Sequence, residues 1–323
     1  VVFCLGMAIF PFVGHLIKDT SEIPADVNIK VVYLLYLAQS ISTYFFAYKQ
    51  TLPIADQRQY IISLLNTLIK ILQYVLSLTV LLVFRKYIAT LLINTVVNVL
   101  ANYFISLWVT KKYPEVFAVK EQISHETREE ILYETRALLC HRVAGTVLTA
   151  TDNIVISRWV SLLSTGIYSN YVLILTSLSS IFGQMLGNVV SSVGNAYVEL
   201  DIKQNYIVFK RLLFLNSRIV CAATALLYLL YNEFISAWIG SAMVFGKYTV
   251  VCLCIQFYLE QIRIIQEAYI AACGLYVKDK IRPFIEAGIN LSVSILLAPK
   301  IGVTGVILGT VISHLLTVSW RQP

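Results

Sequence analysis

Seven ionisable side chains lie inside runs of apolar residues: the cations Lys70, Arg142, Arg218 and Arg263 and the acids Asp152, Glu260 and Glu267. If those runs cross a bilayer, each charge at the centre costs about 2.5–3.5 kcal/mol on insertion scales, so it calls for a partner, a hydrated cavity or a task. The cations could hold an anion. A guanidinium offers phosphate a planar fork of charge-assisted hydrogen bonds, and an ammonium offers a point charge. The acids could take up a proton if burial keeps them neutral, or a sodium ion if they stay charged. An acid paired to a cation would do neither.

Spacing orders these groups. Asn66, Lys70, Gln73 and Ser77 follow the pattern i, i+4, i+7, i+11, and Gln256, Glu260, Arg263 and Glu267 repeat it, so each set occupies one helical stripe. Asn94, Asn98 and Asn102, and Arg142, Thr146 and Thr149, form further stripes. A membrane helix does not turn such a stripe to lipid. Stripes from several helices that converge would line a wet cavity suited to a polar cargo, with Asn66, Gln73, Asn94, Asn98 and Gln256 as neutral lining groups. A plainer reading stands beside this one. Glu260 and Glu267 can each neutralise Arg263 along their own helix, and asparagines serve as hydrogen-bond glue between helices.

The elements that must position these residues are transmembrane helices. Of 323 residues, 58% are hydrophobic and 13% charged, and the mean hydropathy is +0.74. A water-soluble fold has nowhere to bury that much apolar surface. Length and apolarity predict an all-α polytopic protein of about ten spans, near residues 1–17, 31–48, 61–84, 87–109, 138–159, 166–190, 212–231, 248–272, 284–298 and 303–320. Pro11 and Gly14 interrupt the first span, and Pro299 closes the ninth. The longest polar connector, 111–137, divides an amino-terminal bundle (1–110) from a carboxy-terminal one (138–323). Ile123, Ile131 and Leu132 among its charges fit an amphipathic segment lying on the membrane surface, and equally a solvated linker. Lys and Arg are denser in the connectors on the side of 111–137, which places that connector and both chain ends in the cytoplasm of a cell-membrane protein. Val1-Val2-Phe3 opens within an apolar run without an initiator Met, so the sequence reads as a piece of a longer chain.

Several functions are disfavoured. The net charge of +7 comes from Lys and Arg in short connectors, with no basic module for nucleic acid. The six cysteines lack the paired spacing of a metal site. His15, His125, His141 and His314 form no sequence motif, and no catalytic constellation is present, so the chain does not read as an enzyme. Gly302, Gly305 and Gly309 lack the Lys-Ser/Thr of a phosphate loop and fit close helix packing instead.

Particular strings add to this. Ala47-Tyr48-Lys49 leading to Ala55-Asp56-Gln57-Arg58-Gln59-Tyr60, then Lys111-Lys112-Tyr113-Pro114, resembles the first half of Wzx-type polysaccharide flippases. The second half is similar to the same family in Thr151-Asp152-Asn153-Ile154-Val155-Ile156-Ser157, Gly166-Ile167-Tyr168-Ser169-Asn170-Tyr171, Arg282-Pro283-Phe284-Ile285-Glu286-Ala287 with Asn290, and Gly302 to Thr310. The resemblance implies the MATE-like flippase superfamily, in which two pseudo-symmetric bundles surround a central cavity and work by alternating access. Members commonly have twelve or more spans, so an opening pair and a closing pair are absent from this chain on that comparison.

The function so implied is flipping of an isoprenoid-pyrophosphate-linked oligosaccharide from the cytoplasmic to the outer leaflet during capsule, exopolysaccharide or O-antigen synthesis. The four cations would meet the pyrophosphate, and Asp152, Glu260 or Glu267 would bind a coupling proton or sodium ion. No cofactor is expected. The partners would be the lipid-linked cargo, membrane lipids and a polysaccharide polymerase. A MATE-like exporter of small organic cations is the alternative, and an integral membrane glycosyltransferase or ligase the second.

Overall fold

In hydrocarbon each backbone N–H and C=O must be satisfied within the protein, so long apolar runs become helices. The computed structural model describes residues 2–18, 24, 27–56, 58–118, 124–199, 201–272 and 281–319. They are all-α, with no strand among the described residues. Apart from Ile17 and the break at Arg263, the described residues of the ten apolar stretches are helical. Among the described residues five helices are both long and apolar enough to cross a membrane: Tyr60–Phe84, Tyr87–Lys112, Ile202–Ile239, Lys247–Ile270 and Arg282–Ile301. The chain is a multi-pass membrane protein. It divides into two compact units, one of Val1–Leu16 with Thr20–Ile123 and one of Ile17–Asp19 with Ser124–Pro323.

In the first unit, α1 (Val2–Ile9) passes into a 3-10 helix at Phe10–Leu16, where Pro11 has no N–H for an α-helical bond. The helices α2 (Ile29–Ala55), α3 (Gln59–Phe84) and α4 (Tyr87–Lys112) follow, then the short α5 (Pro114–Ala118). Arg85 ends α3 in the left-handed conformation, φ 51°, and its N–H bonds to Leu81 O at 3.0 Å. Polar side chains of α4 tie the unit together. Asn94 accepts from Ser77 on α3, and its carbonyl accepts from Gln73 Nε2 at 3.3 Å. Asn98 accepts from Ser42 on α2 at 3.3 Å, and Asn102 from Gln50 at 3.3 Å.

The second unit begins with α6 (His125–Trp159), a single helix of 35 residues capped by Ser124 Oγ, which accepts from Thr127 N at 3.2 Å. Ile131 and Leu132 lie in the first turns of the same helix that carries the fifth apolar stretch, and Ile123 is outside the described residues. At 1.5 Å per residue α6 is roughly 50 Å long, well beyond about 30 Å of hydrocarbon, so its charged first turns need no membrane surface to lie on. Then come α7 (Leu162–Glu199), α8 (Ile202–Ile239), α9 (Lys247–Ile262), α10 (Ile264–Ala272), α11 (Arg282–Ile301) and α12 (Val303–Ser319). Fully buried Tyr171 and Tyr231 sit at the centre of the core. Tyr171 donates to Asn232 Oδ1 at 2.6 Å and accepts from Phe245 N at 3.0 Å, tying α7 to the end of α8 and the turn beyond it.

Pro299 does not close the ninth stretch. The helix α11 runs two residues past it and ends at Gly302, whose φ of 62° suits glycine. The glycines after it set the approach of α12 to α11. A Cβ on Gly305 would stand 2.6 Å from the backbone carbonyl carbon of Leu297, and one on Gly309 would stand 3.0 Å from Asn290 O. Backbone cannot yield as a side-chain tip can. Gly305→Leu should therefore force the two helices apart and cost about 1–3 kcal/mol or more, seen as a fall in the thermal midpoint of the detergent-solubilised protein. An unchanged midpoint would show that α11 and α12 do not pack this closely.

Candidate functional site

The polar groups of the second unit converge between α6, α7, α9, α11 and α12, in two adjacent layers. Helical spacing builds the layers: Glu286 and Asn290 lie one turn apart on α11, and Thr310 and His314 one turn apart on α12.

Asp152 is the centre of the first layer. Its carboxylate is 3% exposed and accepts from the Tyr168 hydroxyl of α7 and the Thr310 hydroxyl of α12, both at 3.1 Å. Asn290 Nδ2 of α11 lies 3.5 Å from the other carboxylate oxygen and donates to Thr310 Oγ1 at 2.7 Å. Every one of these partners is neutral. Asn290 Oδ1 is buried beside them without a hydrogen-bond partner among the described residues.

Arg263 organises the second layer from the break between α9 and α10. Its guanidinium makes a two-pronged contact with Glu286, at 2.6 and 3.2 Å. Arg282 reaches the same carboxylate at 2.8 Å, and His314 Nδ1 is in close contact with it. Both side chains of the Arg263–Glu286 pair are almost fully enclosed. Glu267 stands 3.8 Å from Arg263 with its side chain 55% exposed. Glu260 accepts from Gln256 Nε2 at 2.9 Å and lies 3.5 Å from His314 Nε2.

The sequence-derived candidates therefore separate. Asp152, Glu260, Arg263 and Gln256 share this region, with Glu267 at its edge. Arg263, expected to be offered to a cargo anion, instead spends both terminal nitrogens on Glu286, so its fork is occupied. Arg218 is exposed on α8 and stacks on the Phe214 ring at 4.3 Å, and the Arg142 side chain lies outside the described residues. In the first unit Lys70 is exposed and Asn66 half-buried on α3, while Gln73, Asn94 and Asn98 serve the α2–α3–α4 packing. Sequence reading passed over Glu286, His314, Tyr168, Asn290 and Thr310 as site residues. The turn-spaced pairs on α11 and α12 were the available signal for four of them.

No protein-family model matches the sequence, and no curated protein matches it. Among solved structures the chain is similar to a multidrug resistance MATE family transporter of the MOP superfamily in an outward-facing conformation, with a TM-score of 0.61 and 15% identity. The fold is a MATE-type transporter fold. The match spans 99% of this chain and 74% of the other, so it extends over both compact units. At that identity the likeness is one of architecture, and cargo must be argued from side chains.

Proposed function

We propose that the protein is an ion-coupled transporter whose coupling ion binds at Asp152, and whose cargo is an isoprenoid-pyrophosphate-linked oligosaccharide moved to the outer leaflet by alternating access. One observation supports the ion site above all: Asp152 is a buried carboxylate met only by neutral groups, whereas Glu286 is surrounded by cations. A buried anion without a counter-charge attracts a cation. The Asp152 oxygens, the orphaned Asn290 Oδ1 and the Thr310 hydroxyl form an all-oxygen set, with the single charge that suits a monovalent ion such as sodium. The cargo assignment rests on the flippase-like strings and on the remaining cations, Lys70, Arg142 and Arg218.

A second reading, export of organic cations, is favoured by the commitment of Arg263 to Glu286, which removes one cation from any anion-binding set. The two cargos separate in one experiment. The intact protein is expressed in cells that lack their own lipid-linked oligosaccharide flippase, and surface polymer and ethidium efflux are both recorded. Restored polymer that falls at least about tenfold in K70A, R142A or R218A, a loss of about 1.4 kcal/mol of transition-state stabilisation, supports the flippase. Ethidium efflux without polymer supports the exporter, and neither would defeat both.

A further inference from the structure

His314 stands between two carboxylates in different surroundings. Its Nδ1 side meets Glu286, which is enclosed with Arg263 and Arg282. Its Nε2 lies 3.5 Å from Oε1 of Glu260, whose side chain is 34% exposed, and has no hydrogen-bond partner among the described residues. Gln256 Oε1, also buried, has none either, although Gln256 Nε2 donates to that same Glu260 oxygen. Two orphaned polar atoms thus flank one half-open carboxylate.

The charges around the imidazole come from every helix packed on α12. From α9, α10 and the break between them come Glu260, Glu267 and Arg263; from α11 come Glu286 and Arg282. On α6 the nearest acid is Asp152, whose contacts are Tyr168, Asn290 and Thr310. Among the described residues in direct contact, two guanidiniums meet three carboxylates. The cluster carries one negative charge when His314 is neutral and none when it is protonated.

We propose that His314 is a proton-binding site, closed by Glu286 on one side and Glu260 on the other, and that its protonation draws α9 and α12 together. The chemistry follows from the ring. Arg263 Nη1 lies 2.8 Å from Nδ1, and both reach the same Glu286 oxygen; with Nδ1 donating its proton to that oxygen, neutral imidazole turns a lone pair toward the Glu260 oxygen, and two acceptors face each other. One added proton makes Nε2 a donor. A charge-assisted bond of about 2.7–2.9 Å then replaces the 3.5 Å separation, and it does so beside the break at Arg263. The inference needs neither the cargo nor the ion at Asp152, so it stands or falls apart from them.

Hydrogen–deuterium exchange of the intact protein in lipid nanodiscs tests it, at about pH 8 and about pH 5.5, either side of the range in which histidine changes charge. After correction for the intrinsic rate, peptides from α9 and α12 should exchange at least about threefold more slowly at the lower pH, as expected when local opening becomes costlier. H314Q and E260Q should each abolish the difference, and D152N should keep it. Wild-type exchange that does not depend on pH overturns the proposal, as does a response that survives in H314Q or E260Q. A response lost in D152N assigns the proton to Asp152 instead and overturns it too. If H314Q does not accumulate, E260Q decides alone, because Glu260 is half open and its replacement leaves the Glu286 cluster intact.

Discussion

Asp152→Asn should abolish ion binding while leaving the protein folded in the membrane. The amide has the shape of the carboxylate and can still accept from Tyr168 and Thr310 through its oxygen, so the packing of α6 against α7 and α12 survives. What disappears is the charge. A ligand shifts a conformational equilibrium only by its difference in affinity for the two states, and without a charge at Asp152 a cation has little to distinguish them. Sodium binding by the purified protein should fall at least about tenfold, or roughly 1.4 kcal/mol. Proton uptake, followed in parallel with a pH-sensitive dye, shows whether the ion is a proton instead. The same exchange at Glu286 should not give this result, because Arg263 and Arg282 already neutralise that carboxylate. Equal binding of both ions by the wild type and D152N would remove Asp152 from the coupling mechanism.

Much of this fold was legible because apolarity over a span is a one-dimensional signal. The stretches at 61–84 and 87–109 became α3 and α4 almost to the residue. The full length of α6 was not legible because apolarity marks only the part of a helix that meets lipid. The part outside is held by ordinary helix-forming residues and a Ser124 cap, and it leaves no hydropathic trace. The site was legible to the extent that its partners share a helix. Glu260, Arg263 and Glu267 were seen as one stripe, yet the strong partner of Arg263 comes from α11, because a fork needs a carboxylate that faces it squarely. His314 looked isolated in sequence since its neighbours lie on α9 and α11. In the first unit Asn94, Asn98 and Asn102 of α4 each accept a hydrogen bond from a neighbouring helix, partners that spacing along α4 alone could not name.

The largest loss of stability should come from Glu286→Gln, and it should exceed that of Arg263→Met. Breaking a buried ion pair by removing one partner costs about 3–5 kcal/mol, because the remaining charge is left in a medium that cannot solvate it. The two partners of this pair are not left equally stranded. Without its charge, Glu286 leaves Arg263 with Glu267 as its direct ion-pair partner among the described residues, at 3.8 Å and on the open side, where an ion pair is worth about 0–1 kcal/mol. Without Arg263, by contrast, Glu286 keeps Arg282 at 2.8 Å and the His314 imidazole. The thermal midpoints of the detergent-solubilised proteins should therefore run wild type, then R263M, then E286Q, and adding R263M to E286Q should recover part of the loss, since it removes the stranded guanidinium. Equal midpoints for the two single variants would mean that Arg282 and His314 do not share the charge of Glu286, and the account of the second layer would fail with them.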